Sequence, residues 1–326
     1  MRKCNYSIQD LENNSKNMKI VWIITSFAGN IYKRRILRQA YRVNELKLLG
    51  IKRIFLLGVL DKKLQRKTGI TQIAIEKEAE SFQDIVQGNF IEAYKNLTYK
   101  HLMGLKWAVD TCGNNYSYIM KMDDDIIINL YETKILLQNK SNSNKTKQLL
   151  MGYILENMSP IRNKSSKWYV SNEEFSGNVY PTFISGWFYI VDMFTALKLI
   201  YQSKYYSKYF WIDDLFITGI LREEAGIHNF VNINNYFTLD HRFLKCCMKE
   251  KKKQSKYKCD FIVGPDGGDN SLLLTFQKYS KNCYQYNCKS RPKEQLLKDT
   301  CILDDENSNL DIGLAQIKKL PLNTLF

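Results

Sequence analysis

Three consecutive acidic residues, Asp123, Asp124 and Asp125, stand between two short apolar runs, and their carboxylates could bind a divalent metal ion. The flanking runs, residues 118–122 and 126–128, are rich in Ile and Met, which is typical of buried strands. Neighbouring acids between buried strands repel one another and lose hydration, so they require a cation or a hydrogen-bond network. An Asp-rich turn or helix N-cap has a similar local sequence, but a solvated turn needs no apolar walls.

The spacing of this triplet indicates the kind of ligand. In an extended segment alternate side chains point the same way, so Asp123 and Asp125 would share a face and Asp124 would point away from it. A divalent metal ion that has open coordination positions and binds a diphosphate fits this geometry. The sequence therefore predicts a metal and diphosphate site at the triplet.

A second acidic pair, Asp213 and Asp214, follows the apolar residues 210–212 and begins a segment with a helical pattern that runs to Gly226. Two acids at a helix start are usually caps. The same position also suits catalysis, because the positive end of a helix keeps a carboxylate ionised, as a general base requires.

The elements that must position these acids alternate along the first half of the chain. The patterns predict strands over 19–26 and 52–59, and helices over 33–42, 71–87 and 91–112, before the strand that carries the triplet. This alternation predicts an α/β fold with a mostly parallel central sheet and helices on both faces. In such sheets the ligand crevice lies at the carboxyl ends of the strands, which is where the triplet falls. The basic start of the helix over 33–42 predicts either a phosphate-binding mouth or a solvated surface.

The second half of the chain has a less regular pattern. We expect a helix over 131–137, a polar loop over 139–148, strands over 149–155 and 184–191, a helix from Asp192 to Tyr201, and a last strand within 232–239. Residues 159–178 combine Lys, Ser and aromatic side chains. Such aromatics suit either the faces of sugar rings or ordinary strand packing.

The composition of the 326 residues, with 44% hydrophobic content, fits one large α/β domain or two small ones. Five of the eight cysteines lie between residues 246 and 288, and no C-x-x-C pair is present, which argues against a zinc site. This even, clustered set predicts either disulfides formed in a secretory compartment or reduced, buried thiols.

The net charge of +15 is compatible with nucleic acid, an anionic membrane or phosphorylated substrates as partners. Much of the Lys lies in polar runs, and no known nucleic-acid-binding pattern is present, so we expect no nucleic-acid partner. No run reaches the roughly 18 apolar residues of a membrane span. We expect membrane attachment only through an N-terminal anchor that this sequence does not contain.

Several ordered motifs together resemble the inverting β-1,3-galactosyltransferase and β-1,3-N-acetylglucosaminyltransferase family, whose members have the GT-A nucleotide-sugar fold. The resemblance covers roughly residues 19–245. It rests on RILRQAY (35–41), FLLG (55–58), DI (84–85), NFIEAYKNLTYK (89–100), KMDDD (121–125), KWYVS (167–171), YP (180–181), SG (185–186) and DDLFITG (213–219). The predicted organisation is a disordered segment over 1–18, a GT-A-like catalytic domain over 19–245, and a Cys/Lys-rich extension over 246–326 that packs partly on this domain.

The resemblance implies a role for each matching residue. Asp214 would be the catalytic base, and Asp125 would bind Mn²⁺ with help from Asp123. The residues implied to bind the nucleotide sugar are Thr25, Arg35, Arg38, Asp123, Asp124 and Gly186, and those implied to bind the acceptor are Trp168, Trp187 and Asp213.

The chain also departs from the family pattern. The family often has Cys before Ser-Gly and a small residue two positions after the Gly, whereas this chain has Ile184 and Phe188, whose bulk would narrow the pocket or change the donor sugar. Members commonly have a late metal-binding His, but residues 260–268 contain none. His241 is the nearest candidate and His228 the next.

The resemblance implies a Mn²⁺-dependent enzyme of the Golgi lumen that moves galactose or an N-acetylhexosamine from a UDP-sugar to a glycan hydroxyl and forms a β-1,3 linkage. The alternative is a weakly active or inactive protein of the same fold that binds glycan or nucleotide.

Overall fold

A computed structural model describes residues 18–113, 115–143, 148–249 and 257–303. Nine strands in these ranges form two sheets: β1 (Ile20–Thr25), β2 (Ile51–Val59), β3 (Ile85–Ile91), β4 (Tyr118–Asp123), β5 (Ile126–Ile128), β6 (Leu150–Leu155), β7 (Phe183–Asp192), β8 (Val231–Asn232) and β9 (Val263–Pro265). The helices in the same ranges are α1 (Ile31–Ala40), α2 (Val43–Leu48), α3 (Lys62–Thr68), α4 (Gln72–Phe82), α5 (Leu97–Cys112), α6 (Leu130–Ser143), α7 (Met193–Ser203), α8 (Arg222–Glu224), α9 (His241–Met248), α10 (Asn270–Gln285) and α11 (Leu297–Thr300). A π-helical segment, Leu215–Leu221, directly precedes α8.

The larger sheet has the strand order β3-β2-β1-β4-β7-β6-β8. Its first four strands are parallel, β7 is antiparallel to both β4 and β6, and β8 is parallel to β6. This arrangement confirms the predicted α/β fold with a mostly parallel central sheet. The smaller sheet pairs β5 with β9.

The central strand β1 separates two hydrophobic clusters, because successive side chains of a strand point to opposite faces. Trp22 and Ile24 lie in the first cluster with residues of α1 and α10, whereas Val21 and Ile23 lie in the second with residues of α5 and α7. Helices therefore cover both faces, as predicted. The parallel register also pairs Thr25 with Asp123, so the ends of β1 and β4 meet at one edge.

Four predicted elements were wrong in their bounds or type. The helix predicted over 71–87 ends at Phe82, and the helix predicted over 91–112 begins only at Leu97, because residues 85–91 pair with β2 as an edge strand. The loop predicted over 139–148 is helical as far as Ser143. The strand predicted over 232–239 stops at Asn232, because the Asn234 side-chain amide bonds both the N–H and the carbonyl of Ile154 in place of a backbone ladder.

The C-terminal region adds to the same core. Phe276 of α10 is fully buried, and Gln277 donates to the Tyr41 hydroxyl and to the carbonyl of Ile128. The predicted boundary after residue 245 falls inside α9, so the chain continues through it without a break. The predicted disordered segment over 1–18 lies outside the described residues except for Met18.

The prediction of disulfides is confirmed, and reduced thiols are excluded for the cysteines that the structure describes. Three bonds join Cys246 with Cys301, Cys247 with Cys259, and Cys283 with Cys288, and Cys112 is also disulfide-bonded. In the same part of the chain, no helix combines the length and the apolar character that a bilayer crossing needs.

Candidate active site

At the acidic triplet the chain leaves the larger sheet and enters the smaller one. β4 ends at Asp123, and Asp124 and Asp125 form the turn before β5. The predicted extended geometry was therefore wrong, because the next residues leave the large sheet to pair with β9. Asp124 accepts a hydrogen bond from the Ser26 hydroxyl at 2.7 Å, and the carbonyl of Asp125 accepts one from the N–H of Asp266 at 2.9 Å.

A chain of hydrogen bonds joins the triplet to the second acidic pair. The buried ammonium of Lys121 donates to Asp123 at 2.6 Å and also to the carbonyl of Gly186. The N–H of Gly186 donates to Oδ2 of Asp214 at 2.9 Å, and the N–H of Leu215 donates to Oδ1 of the same carboxylate at 2.9 Å. Two acidic groups about ninety residues apart in the sequence thus share one site.

The absence of a side chain at Gly186 allows this approach. A Cβ at this position would lie 3.2 Å from Cβ of Asp214 and 3.3 Å from its Oδ2, which is tighter than ordinary van der Waals contact. The π-helical segment that starts after Asp214 is a local feature often found at functional sites.

Asp213 is held by a buried histidine that the sequence analysis did not select. Nδ1 of His101 lies 2.9 Å from Asp213, and Nε2 lies 2.6 Å from the hydroxyl of Tyr189. Burial lowers the pKa of His101, so the ring is neutral at pH 7. A carboxylate only accepts, so Nδ1 carries the proton and Nε2 accepts from Tyr189. A lone His in a helical pattern gave no signal of this role.

The two adjacent carboxyl groups have pKa values on opposite sides of the ordinary range. Burial opposes the ionisation of Asp213, but the hydrogen bond from His101 and the charge of Lys121 outweigh it and lower the pKa to about 2. Burial, together with the charge of Asp213, raises the pKa of Asp214 to about 6. Burial likewise raises the pKa of Asp123 to about 7, against the pull of Lys121. Asp213 is therefore fixed as an anion, whereas Asp214 can exchange a proton near neutral pH.

The residues predicted at the nucleotide mouth occupy different environments. Thr25 lies beside Asp123, and its buried hydroxyl has no hydrogen-bond partner in the part of the chain that the structure describes. Arg35 is exposed on the outer side of α1. Arg38 donates to Glu78 and Asp84, which places it in an ion-pair network behind the predicted phosphate-binding site.

The loop after β1 is shaped by buried charges. Arg34, which is fully buried, pairs with Glu78 and donates to the carbonyls of Phe27 and Ala28. On the other side, Glu92 accepts from the N–H of Ala28 and pairs with Lys100. The basic start of the helix over 33–42 and the NFIEAYKNLTYK segment were singled out in the sequence, but these long-range pairings carry no local signal.

The structure supplies a late acidic residue that sequence reasoning missed. Pairing of β5 with β9 brings Asp266 beside Asp125, and the negative charges of the two carboxylates repel one another. Lys33 forms an ion pair with Asp266. His241 begins α9 and packs against Gly267, the residue after Asp266, whereas His228 is exposed beyond α8.

These residues fit a divalent ion that shares its coordination with a substrate. No three His, Cys, Asp or Glu side chains of the described ranges form a closed metal cage. Asp125, with Asp266 beside it, offers one or two hard oxygen ligands, which is the number that such ions take from a protein when phosphates complete the shell.

The residues predicted on the acceptor side form two groups. Trp168 is half-buried and donates from its indole to the hydroxyl of Tyr94 at 2.6 Å. Trp187 packs against the first hydrophobic cluster. The bulky residues Ile184 and Phe188 are both buried in the core, and their effect on the donor-sugar pocket stays a prediction.

Comparisons with known proteins agree with this architecture. The galactosyltransferase family model matches residues 32–232. The chain therefore belongs to the galactosyltransferase family, as the motifs predicted.

Curated relatives support the same family. The chain is 32% identical over 222 residues to β-1,3-galactosyltransferase 1 of both Mus musculus and Homo sapiens, which covers 67% of this chain but only 64% of each relative. It is 31% identical over 285 residues to β-1,3-galactosyltransferase 5 of Mus musculus, with 86% of this chain and 85% of that relative covered.

Replacing Lys121 tests the electrostatic balance of the site. We expect Lys121→Met to lower the free energy of unfolding by about 3 kcal/mol at pH 8, because it leaves partly buried carboxylates without their cation. Urea unfolding followed by circular dichroism measures this change. Lys106→Met, which removes an exposed pair with Asp110, is the matched control and should cost at most about 1 kcal/mol. Equal losses of unfolding free energy in the two variants would refute the role of Lys121 in balancing the charges of the site.

Proposed function

We propose that the protein is an inverting hexosyltransferase that moves galactose, or an N-acetylhexosamine, from a UDP-sugar to a glycan hydroxyl and forms a β-1,3 linkage. The observation that carries this proposal is the path Asp123–Lys121–Gly186–Asp214, which joins the acidic turn to a titratable carboxylate. Membership of the galactosyltransferase family and the names of the aligned relatives support galactose as the first donor to test.

The roles follow from the chemistry of each group. Asp214, ionised above about pH 6, accepts the proton of the acceptor hydroxyl as that oxygen attacks the anomeric carbon from the face opposite the leaving group. The bond to the diphosphate breaks, UDP leaves with the electron pair, and the configuration at the anomeric carbon inverts. No covalent enzyme intermediate is needed.

Two charged neighbours, Asp213 and Lys121, set the protonation of Asp214. The hydrogen bond from His101 keeps Asp213 ionised. The charge of Asp213 adds to the effect of burial and keeps the proton affinity of Asp214 high enough for a base. Lys121 offsets the combined negative charge of the site. When Mn²⁺ is bound at Asp125, it supplies positive charge to the departing diphosphate.

The disulfides support a secretory location, since such bonds persist in oxidising compartments. We propose the Golgi lumen as its location, which the family resemblance supports. Its acceptor would be a glycan on a glycoprotein or glycolipid.

One observation favours a protein of the same fold that binds without turnover. The ammonium of Lys33 pairs with Asp266 beside Asp125, so it supplies positive charge where a divalent ion would act. A lysine in this role would hold a diphosphate, but it would stabilise the leaving group less than a divalent ion.

A donor panel separates the two functions. The purified protein is incubated with UDP-galactose, UDP-N-acetylglucosamine, UDP-N-acetylgalactosamine and UDP-glucose, with methyl β-glycosides as acceptors, and released UDP is measured. We expect acceptor-dependent release, fastest with UDP-galactose, that stops when EDTA removes Mn²⁺. Binding of UDP without release from any donor would favour the non-catalytic alternative.

The pH dependence tests the base. Because Asp214 must be ionised and its pKa is raised to about 6, kcat/KM should fall tenfold per pH unit below about pH 6. Asp214→Asn should lower kcat about 10²–10⁴-fold and remove this acid limb. Asp110→Asn, on the exposed side of α5, is the control and should leave the profile unchanged. A near-normal kcat for a folded Asp214→Asn protein would remove Asp214 from the mechanism.

A further inference from the structure

Tyr94 stands at the edge of the candidate active site in a fixed position. It begins the 3₁₀ turn Tyr94–Asn96 that leads into α5, and 40% of its surface is exposed. Its hydroxyl accepts the indole N–H of Trp168 at 2.6 Å. The ammonium of Lys167 lies 4.0 Å from the centroid of its ring, and the ring of Trp211 lies 6.0 Å away. These contacts hold the ring from two different segments, residues 167–168 and Trp211.

The hydroxyl of Tyr94 still has a proton to donate. A tyrosine hydroxyl both accepts and donates, and here only its accepting side is used by any residue that the structure describes. Burial raises the pKa of Tyr94 to about 12, and the charges of Asp213, Asp214 and Asp123 act in the same direction. The group therefore remains a donor throughout the working range of pH, close to the carboxylates of the site.

The surroundings of this hydroxyl suit a sugar. Trp211 precedes Asp213 by two residues, and its buried indole N–H finds no acceptor among the described residues. The hydroxyl of Thr98 donates to the carbonyl of Phe210 at 2.7 Å, which fixes the start of α5 to the segment that carries the acidic pair. Aromatic rings with unused hydrogen-bond donors match the apolar faces and polar edges of a pyranose.

We propose that Tyr94 is a positioning residue of the acceptor subsite, whose hydroxyl donates a hydrogen bond to an oxygen of the acceptor sugar. The ligand class is a terminal hexopyranose of a glycan. This inference rests on the proposed transferase function, in which the acceptor must present a neighbouring hydroxyl to Asp214. Trp168 fixes the orientation of the Tyr94 hydroxyl by donating to it.

Tyr94→Phe keeps the ring and removes the hydroxyl, which is both the proposed donor to the sugar and the acceptor of the Trp168 indole N–H. With methyl β-N-acetylglucosaminide and methyl β-galactoside as acceptors, we expect the KM of the acceptor used by the protein to rise about tenfold, as for one lost hydrogen bond to a sugar. The KM for the UDP-sugar and the acceptor-independent release of UDP should stay unchanged. A purely structural role would change donor and acceptor parameters together.

Tyr99→Phe, in the first turn of the helix that follows Tyr94, is a matched control. Tyr99 is 41% exposed, and its hydroxyl makes no hydrogen bond within the described ranges, so its removal should change neither KM. Trp168→Phe should raise the KM for the acceptor as well. The double variant Trp168→Phe/Tyr94→Phe should raise this KM by less than the product of the two single increases, because both substitutions act through one contact.

Direct binding keeps this test independent of turnover. Titration of the same methyl glycosides in a calorimeter, with UDP present, should show weaker binding to Tyr94→Phe than to the unmodified protein. If glycan binding weakens but no donor is ever turned over, the subsite stands and the transferase proposal fails. An unchanged acceptor KM and unchanged glycan affinity in Tyr94→Phe, or no binding of either glycoside to the unmodified protein, would overturn the inference.

Discussion

The buried ammonium of Lys121 is the interaction on which the candidate site depends. A lysine at 1% exposure would normally lose its proton, yet the surrounding carboxylates outweigh burial and raise its pKa. In return, the charge of Lys121 favours the ionised forms of the Asp123 and Asp214 carboxyl groups. Its second hydrogen bond, to the carbonyl of Gly186, ties β4 to β7 at the point where the base approaches. The site is thus a set of mutually dependent charges, and removal of any one changes the protonation of the others.

The fold supplies the frame for these charges. Parallel pairing of β1 with β4 delivers Thr25 and Asp123 to one edge, and the antiparallel strand β7 delivers Gly186 to the same edge. Buried pairs around the loop after β1 then fix the mouth of the cleft. Exposed ion pairs contribute little to stability. Buried ion pairs constrain the geometry strongly, because the loss of one partner leaves the other charge buried and unpaired.

Much of this frame could be predicted from the sequence, since apolar periodicity located β1, β2, β4, β7 and the main helices. The acidic triplet and Asp214 were identified from residue type and from motif order. What the sequence could not give is the set of partners that act across long separations: Lys121 with Gly186, His101 with Asp213, and Asp266 with Asp125. Edge strand β3 was missed for a related reason, because its pairing with β2, rather than its own pattern, determines its conformation. The two hydrogen bonds between the Asn234 side-chain amide and Ile154 likewise take the place of the strand that was predicted over 232–239.

A crystal structure of the protein with UDP and Mn²⁺ tests the central claim most directly, namely that the acidic turn and Asp214 line one substrate cleft. We expect the ion on the carboxylate of Asp125, the diphosphate at the carboxyl ends of β1 and β4, and the Asp214 carboxylate facing the open space beside the diphosphate. UDP bound elsewhere, or Asp214 separated from the diphosphate by protein atoms, would contradict the claim.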